Sequence, residues 1–214
     1  VLELDELNLL RPNVAKFFNS LFDGDRTVFL NDQVIKAAPG VTFVGLMNPA
    51  EYDGVEDLPE TIDDRSNIMT MGYPPFRETD STTNREKFTH DEALILKENV
   101  SPLKNLDDEQ FRKAWDYVIN GVGAQISLDA TTVKIMKDLK NIVAISDRTR
   151  QVVEAYKTRT GETRMERDIS LRGSIEAARF YSENHLWEAD LSKMPNWKAG
   201  WNPAQYAIAM TYLP

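Results

Sequence analysis

At 214 residues, with 42% apolar and 28% charged positions, the chain can bury a core in one large domain or two small ones, which excludes a disordered polymer. Its formal charge of −9 argues against a general binder of nucleic acid or anionic membrane, because neutralising phosphates takes clustered Lys and Arg. The absence of cysteine excludes disulfides and thiolate metal sites, and no apolar run approaches the roughly 18 residues that a spanning helix needs. Glu3, Asp5 and Glu6 leave no room for a secretory signal, and the lack of cysteine is compatible with the cytoplasmic location expected here. Val1 falls inside an apolar run, and the chain therefore reads as a fragment.

In chain order, Val1 to Leu4 predicts a strand ending in acids. Val14, Phe17, Phe18, Leu21 and Phe22 recur at helical spacing, with Pro12 suited to the first turn. Thr27 to Leu30 and Gln33 to Lys36 flank Asn31-Asp32 as a hairpin would. Val41 to Met47 predicts a strand buried on both faces, followed by a loop from Pro49 to Asp57 and a short helix from about Pro59. Asn67 to Met71 is the next expected strand, and strands alternating with helices predict a parallel α/β sheet. Tyr73-Pro74-Pro75 marks a boundary, giving domains over 1–74 and 75–214.

Beyond it the pattern is helical: Thr89 to Glu98, Asp107 to Ile119, Ala130 to about Ala144, Ser146 to Thr158, Ile169 to Glu183, and Pro203 to Thr211. Thr89 and Ser146 are expected N-caps, and Gly121 a helix stop. Trp187, Trp197, Trp201, Tyr206 and Tyr212 crowd the C-terminal stretch, where packing within the domain is favoured over a docking patch.

Four places can carry chemistry. Asp5 and Glu6 follow an apolar strand, whose carboxyl edge is where open α/β sheets bind ligands. Nucleotide hydrolysis needs one carboxylate to hold hydrated Mg²⁺ and a second to activate water, although a solvated strand end would look the same. Asn48 follows the strand expected over Val41 to Met47, and its amide can donate to and accept from an attacking water; an ordinary Asn-Pro turn is the plainer alternative. Arg65 closes a helix opened by Pro59 and Glu60, where it could stabilise a γ-phosphoryl group across a subunit boundary or simply pair with Asp63 or Asp64. Arg172 begins a helix whose apolar face includes Leu171, Ile175 and Ala178, and it could contact nucleotide or stay a surface charge.

In order and spacing these segments resemble AAA+ ATPases of the MoxR type, including the relatives that service Rubisco and nitric oxide reductase, and the allied midasin and dynein-related modules. Leu4-Asp5-Glu6-Leu7-Asn8 resembles their Walker B segment, and Phe17 to Arg26 the helix and turn after it. Met47-Asn48-Pro49-Ala50-Glu51-Tyr52-Asp53-Gly54 is similar to sensor 1, Leu58-Pro59-Glu60 through Asp64-Arg65 to the arginine-finger helix, and Ser170-Leu171-Arg172 to sensor 2.

The resemblance implies an incomplete parallel-sheet core of the P-loop NTPase type followed by an α-helical lid, with Glu6, Asn48, Arg65 and Arg172 catalytic. It implies that Asp5, Asn48 and Arg172 contact ATP and that Asp5 holds Mg²⁺ through water. A hexameric ring and a von Willebrand factor A domain partner are further implications. Two departures stand out: Ser66 replaces the family's Phe after Asp64-Arg65, and Phe76 to Asp168 is longer than a minimal lid and reads as carrying an insertion.

No Gly-x-x-x-x-Gly-Lys-Ser/Thr occurs: Gly40 and Gly45 have the glycine spacing, but Leu46-Met47 follow them. The chain on its own is therefore expected to be inactive. The alternatives are a non-enzymatic interaction module descended from such an ATPase, or part of a nucleic-acid motor of the related helicase clade, which the charge disfavours. His90 and His185 are far apart, and Asp23-Gly24-Asp25 lacks calcium-loop spacing, so no other metal site is expected.

Overall fold

The computed structural model describes residues 1–11, 14, 18–48, 58, 60–69, 71–81, 83–160 (side chains as far as 155) and 170–212. It is mixed α/β and divides into two compact units, Val1–Met71 and Gly72–Pro214.

The first unit begins with β1 (Leu2–Leu4), which pairs in parallel with β4 (Phe43–Gly45) in the register Leu2↔Phe43, Glu3↔Val44, Leu4↔Gly45. Between them lie the short helix α1 (Asn19–Phe22) and a hairpin of β2 (Thr27–Leu30) and β3 (Gln33–Lys36). Asn31 and Asp32 both adopt left-handed backbone, with φ of 49° and 61°, as a two-residue turn matching strand twist requires. The helix α2 (Glu60–Asp63) follows.

The described core of this unit is small: Leu7, Leu21 and Ile62 are its buried apolar residues, and Phe22 meets Phe43 edge-on at 5.9 Å. Gly45 lets Leu7 fold over β4, since a Cβ there would lie 2.8 Å from Leu7 Cδ2.

Two expectations for this unit are corrected. The segment 41–47 is not buried on both faces, since Val44, Leu46 and Met47 are exposed; β4 has a single strand neighbour among the described residues. No strand forms over 67–69 or at 71, so the only parallel pairing described is β1 with β4, and a larger parallel sheet is not present among the described residues.

The second unit opens with a hairpin that the helical reading of this region missed, β5 (Arg77–Thr79) with β6 (Glu86–Phe88). It continues through α3 (Asp91–Lys97), α4 (Asp108–Trp115), α5 (Ala130–Thr160), α6 (Leu171–Glu183) and α7 (Pro203–Tyr212). Asp107 caps α4 reciprocally: its carboxylate accepts from Gln110 N–H at 2.8 Å while the Gln110 side chain accepts from Asp107 N–H at 3.0 Å. Five residues of π-helix, Asp116–Asn120, extend α4 before Gly121 ends it at φ 68°.

α5 is one helix of 31 residues where two were expected. Ser146 does not cap a new helix. It is fully buried, donates to the Ile142 carbonyl at 3.0 Å and accepts from the Ser174 hydroxyl at 2.9 Å, so the hydroxyl is satisfied without breaking the backbone. Thr89 likewise caps nothing, because its hydroxyl donates to the Pro75 carbonyl.

Trp115, Phe111, Leu139, Ile142, Tyr181 and Tyr206 form the centre of this unit's core. Trp187 is buried with them, and Trp197, Trp201 and Tyr212 pack against it, so the C-terminal aromatics serve the interior. Inside this core the Tyr181 hydroxyl donates to Asp138 at 2.9 Å; burial pushes the Asp138 carboxyl above its ordinary range, and the Tyr181 hydrogen bond opposes that rise.

On α6, a Cβ at Gly173 would fall on the Tyr212 hydroxyl. Gly173→Ala is therefore expected to cost a net ~1–2 kcal/mol, overpacking outweighing alanine's better helix propensity. A lower urea midpoint would register it, and an unchanged or higher one would refute it.

Candidate functional site

The candidate site grows from the parallel pair. The ladder continues past the strands: Leu46 N–H donates to the Leu4 carbonyl at 2.8 Å, and Leu7 N–H to the Leu46 carbonyl at 2.9 Å. Asp5-Glu6 and Asn48 therefore leave the carboxyl ends of two hydrogen-bonded neighbours. Asp5 Oδ1 accepts from Glu6 N–H at 2.9 Å, and Glu6 itself turns into left-handed backbone at φ 54° before the short 3₁₀ turn Leu7–Leu9. Both acids are exposed.

Asn8, to which sequence reasoning gave no role of its own, joins the two strand ends. Its Nδ2 donates to the Asn48 carbonyl at 2.8 Å, and its Oδ1 accepts from Asn48 N–H at 3.1 Å. The buried amide thus pairs with the Asn48 backbone as a neighbouring strand would, and fixes where Asn48 stands relative to Asp5-Glu6. The available signal was one polar residue inside the apolar run Leu7 to Leu10.

Arg65 lies just beyond α2 and reaches back to α1. Its Nε pairs with Asp23 Oδ1 at 3.3 Å, and its guanidinium also donates to the Thr61 carbonyl. Its observed ionic partner is thus Asp23, neither Asp63 nor Asp64. Thr61 Oγ1 donates to Asn19 Oδ1 at 3.1 Å, a second link between the same two helices. The pair is solvent-facing, with side chains 35% and 55% exposed, so breaking it would cost at most about 1 kcal/mol.

Arg172 belongs to the second unit, where it is exposed in the first turn of α6. Ser170 caps that helix, accepting from Gly173 N–H at 3.2 Å. One turn on, Ser174 accepts from Arg150, whose guanidinium is buried against Glu92. The sequence offered no pointer to this buried network. The segment Pro49 to Asp57, with Ala50, Glu51, Tyr52, Asp53 and Gly54 of the sensor 1 resemblance, lies outside the described residues.

Among the described residues no three His, Asp or Glu side chains gather as a metal-holding group. One carboxylate at a strand's end suits Mg²⁺ held through water, with the remaining ligands supplied by nucleotide oxygens and solvent. The chemistry of Asp5 fits that limited role. Among the described residues, no helix is long and apolar enough to cross a membrane.

The fold and site define a mixed α/β protein with an acid pair and an asparagine at neighbouring parallel strand ends, and a helical second unit. No family model matches the chain, and neither a curated protein nor a solved structure matches it.

Proposed function

We propose that these residues are the Walker B, sensor and lid portion of a ring-forming AAA+ ATPase of the MoxR type, which spends ATP to remodel or mature a partner complex. The observation that supports it is the parallel register of β1 with β4, closed by Asn8, which brings Asp5-Glu6 and Asn48 to adjacent strand ends.

In this reading Glu6 takes the proton of the attacking water, Asn48 orients that water, and Asp5 holds Mg²⁺ through water. Bound Mg²⁺ supplies charge neutralisation at the phosphates. Arg65 reaches the site of a neighbouring subunit in a homohexamer, and Arg172 contacts nucleotide from the lid. The β- and γ-phosphate cradle is supplied by polypeptide other than these 214 residues, which contain no such loop. A cytoplasmic location and a partner with a von Willebrand factor A domain belong to the same proposal.

The test uses the protein that joins these residues to a phosphate-binding loop. ATP turnover is expected, and Asn8→Ala should lower kcat by about 10²-fold by loosening Asn48, with nucleotide affinity unchanged. A protein with that loop intact, folded and nucleotide-bound but without turnover would be an interaction module instead. Full activity in the Asn8→Ala variant would show that the strand-end clamp does not position the chemistry.

A further inference from the structure

The π-helical turn has a chemical consequence independent of nucleotide. Asn120–Gly121 is the single Asn-Gly step in the sequence. Such a step loses its side-chain amide most readily, because the residue after the asparagine has no Cβ to hinder its backbone nitrogen from reaching Asn Cγ.

Here both reacting groups are held elsewhere. Asn120 Oδ1 accepts from Phe88 N–H at 2.9 Å, while its Nδ2 donates to the Phe88 carbonyl at 3.0 Å and to Asp116 Oδ1 at 3.0 Å. The attacking nitrogen would be that of Gly121, whose N–H donates to the Asp116 carbonyl. Trp115 Nε1 also donates to the Phe88 carbonyl at 3.0 Å. The end of α4 and its π turn thus grip β6 much as another strand would.

We propose that Asn120 is a latent site of spontaneous deamidation, kept unreactive by this grip, and that conversion there releases the β5–β6 hairpin from α4. When the segment opens, the Gly121 nitrogen gives up its proton to solvent and attacks Asn120 Cγ. A C–N bond forms, the Cγ–Nδ2 bond breaks, and ammonia leaves with the proton returned, giving a five-membered succinimide. Water then opens the ring at either carbonyl to yield aspartate or isoaspartate, with no change of oxidation state.

The product can rebuild only part of the grip. A carboxylate has no hydrogen for the Phe88 carbonyl, and it would stand beside the Asp116 carboxylate, whose Oδ1 lies 3.0 Å from the present Nδ2. Isoaspartate also lengthens the main chain by a methylene within the turn. Reclosure is therefore opposed, and the opened hairpin gains population.

Peptide mapping by mass spectrometry tests this on the 214-residue protein held in warm, mildly alkaline buffer, folded and in urea. Asn120 should convert at least about tenfold more slowly when folded, because reaction must wait for local opening. Trp115→Phe removes one hydrogen bond to Phe88 while keeping an aromatic ring, and should speed conversion in the folded protein. Asn120→Asp should expose the Phe88 amide to faster hydrogen exchange. Equal rates in folded and unfolded protein would overturn the protection, and wild-type exchange at Phe88 in Asn120→Asp would overturn the release.

Discussion

Replacing Glu92 with alanine is expected to destabilise the second unit by about 3–5 kcal/mol, the cost of removing one partner from a buried ion pair. Glu92 and Arg150 are 2% and 8% exposed and meet through two hydrogen bonds, of 2.7 and 2.9 Å. Burial pulls the Arg150 guanidinium down, but the Glu92 hydrogen bonds and charge outweigh it and hold Arg150 above its ordinary range. An arginine cannot shed its proton to escape a desolvated site, so its carboxylate is needed more than a buried lysine's would be.

The pair also organises its neighbours, for Arg150 donates to Ser174 of α6 at 3.2 Å and lies over the Tyr73 ring at 4.2 Å. Contrast Lys97, itself buried, whose partners Glu98 and Asp108 have side chains 63% and 64% exposed and whose ammonium also donates to the Leu106 carbonyl; Asp108→Asn should shift the midpoint far less than Glu92→Ala. Urea unfolding followed by tryptophan fluorescence measures both. The double replacement Glu92→Leu with Arg150→Met should recover most of the loss, since an apolar pair of similar volume avoids the desolvation. A Glu92→Ala midpoint matching the wild type would show that the pair adds nothing.

The second large effect rests on the proposed ATPase reading and concerns which subunit Arg65 serves. In the protein carrying a phosphate-binding loop, Glu6→Gln and Arg65→Ala should each lower turnover by on the order of 10³-fold or more, the first by removing the base and the second by removing the finger. Mixing the two inactive proteins should restore part of the activity, because some interfaces then join an intact Glu6 to an intact Arg65. Loss of the solvent-facing Arg65–Asp23 pair costs at most about 1 kcal/mol, so Arg65→Ala should remain folded and a rate effect cannot be mistaken for collapse. Mixed rings that form but stay inactive, in a background where one dead subunit does not stall its neighbours, would assign Arg65 to a structural role beside Asp23.

What was legible in the sequence was local. The hairpin over 27–36 depends on two residues that tolerate left-handed backbone, and the helix expected from Asp107 does start there, although its reciprocal cap with Gln110 was not read from the sequence. The end of α4 at Gly121 needs only a residue at ease with positive φ. What was not legible depends on partners distant in sequence. Ser146 reads as a cap until Ser174 is placed beside it, and nothing near Arg65 points to a carboxylate 42 residues earlier. Alternation at 77–79 and 86–88 is too short to outweigh the helical surroundings. The exposure of Val44 and Met47 reflects how many strands adjoin β4, which no local pattern encodes. At the candidate site the acids and Asn48 were visible as residue types at strand ends, whereas the Asn8 amide that spans to Asn48 emerges only from the 40-residue pairing.

Glu6 sits where glycine or asparagine would rest more easily, in left-handed backbone at φ 54°. A side chain ill-suited to its backbone is a standing tax of about 1 kcal/mol on folding, one that selection for stability alone would remove. Glu6→Gly should therefore raise the stability of the first unit slightly, which a higher urea midpoint would register. Arg26 and His185 carry the same kind of left-handed backbone, at φ 51° and 46°, so position 6 is one of several places where this chain holds a large side chain in a conformation better suited to glycine.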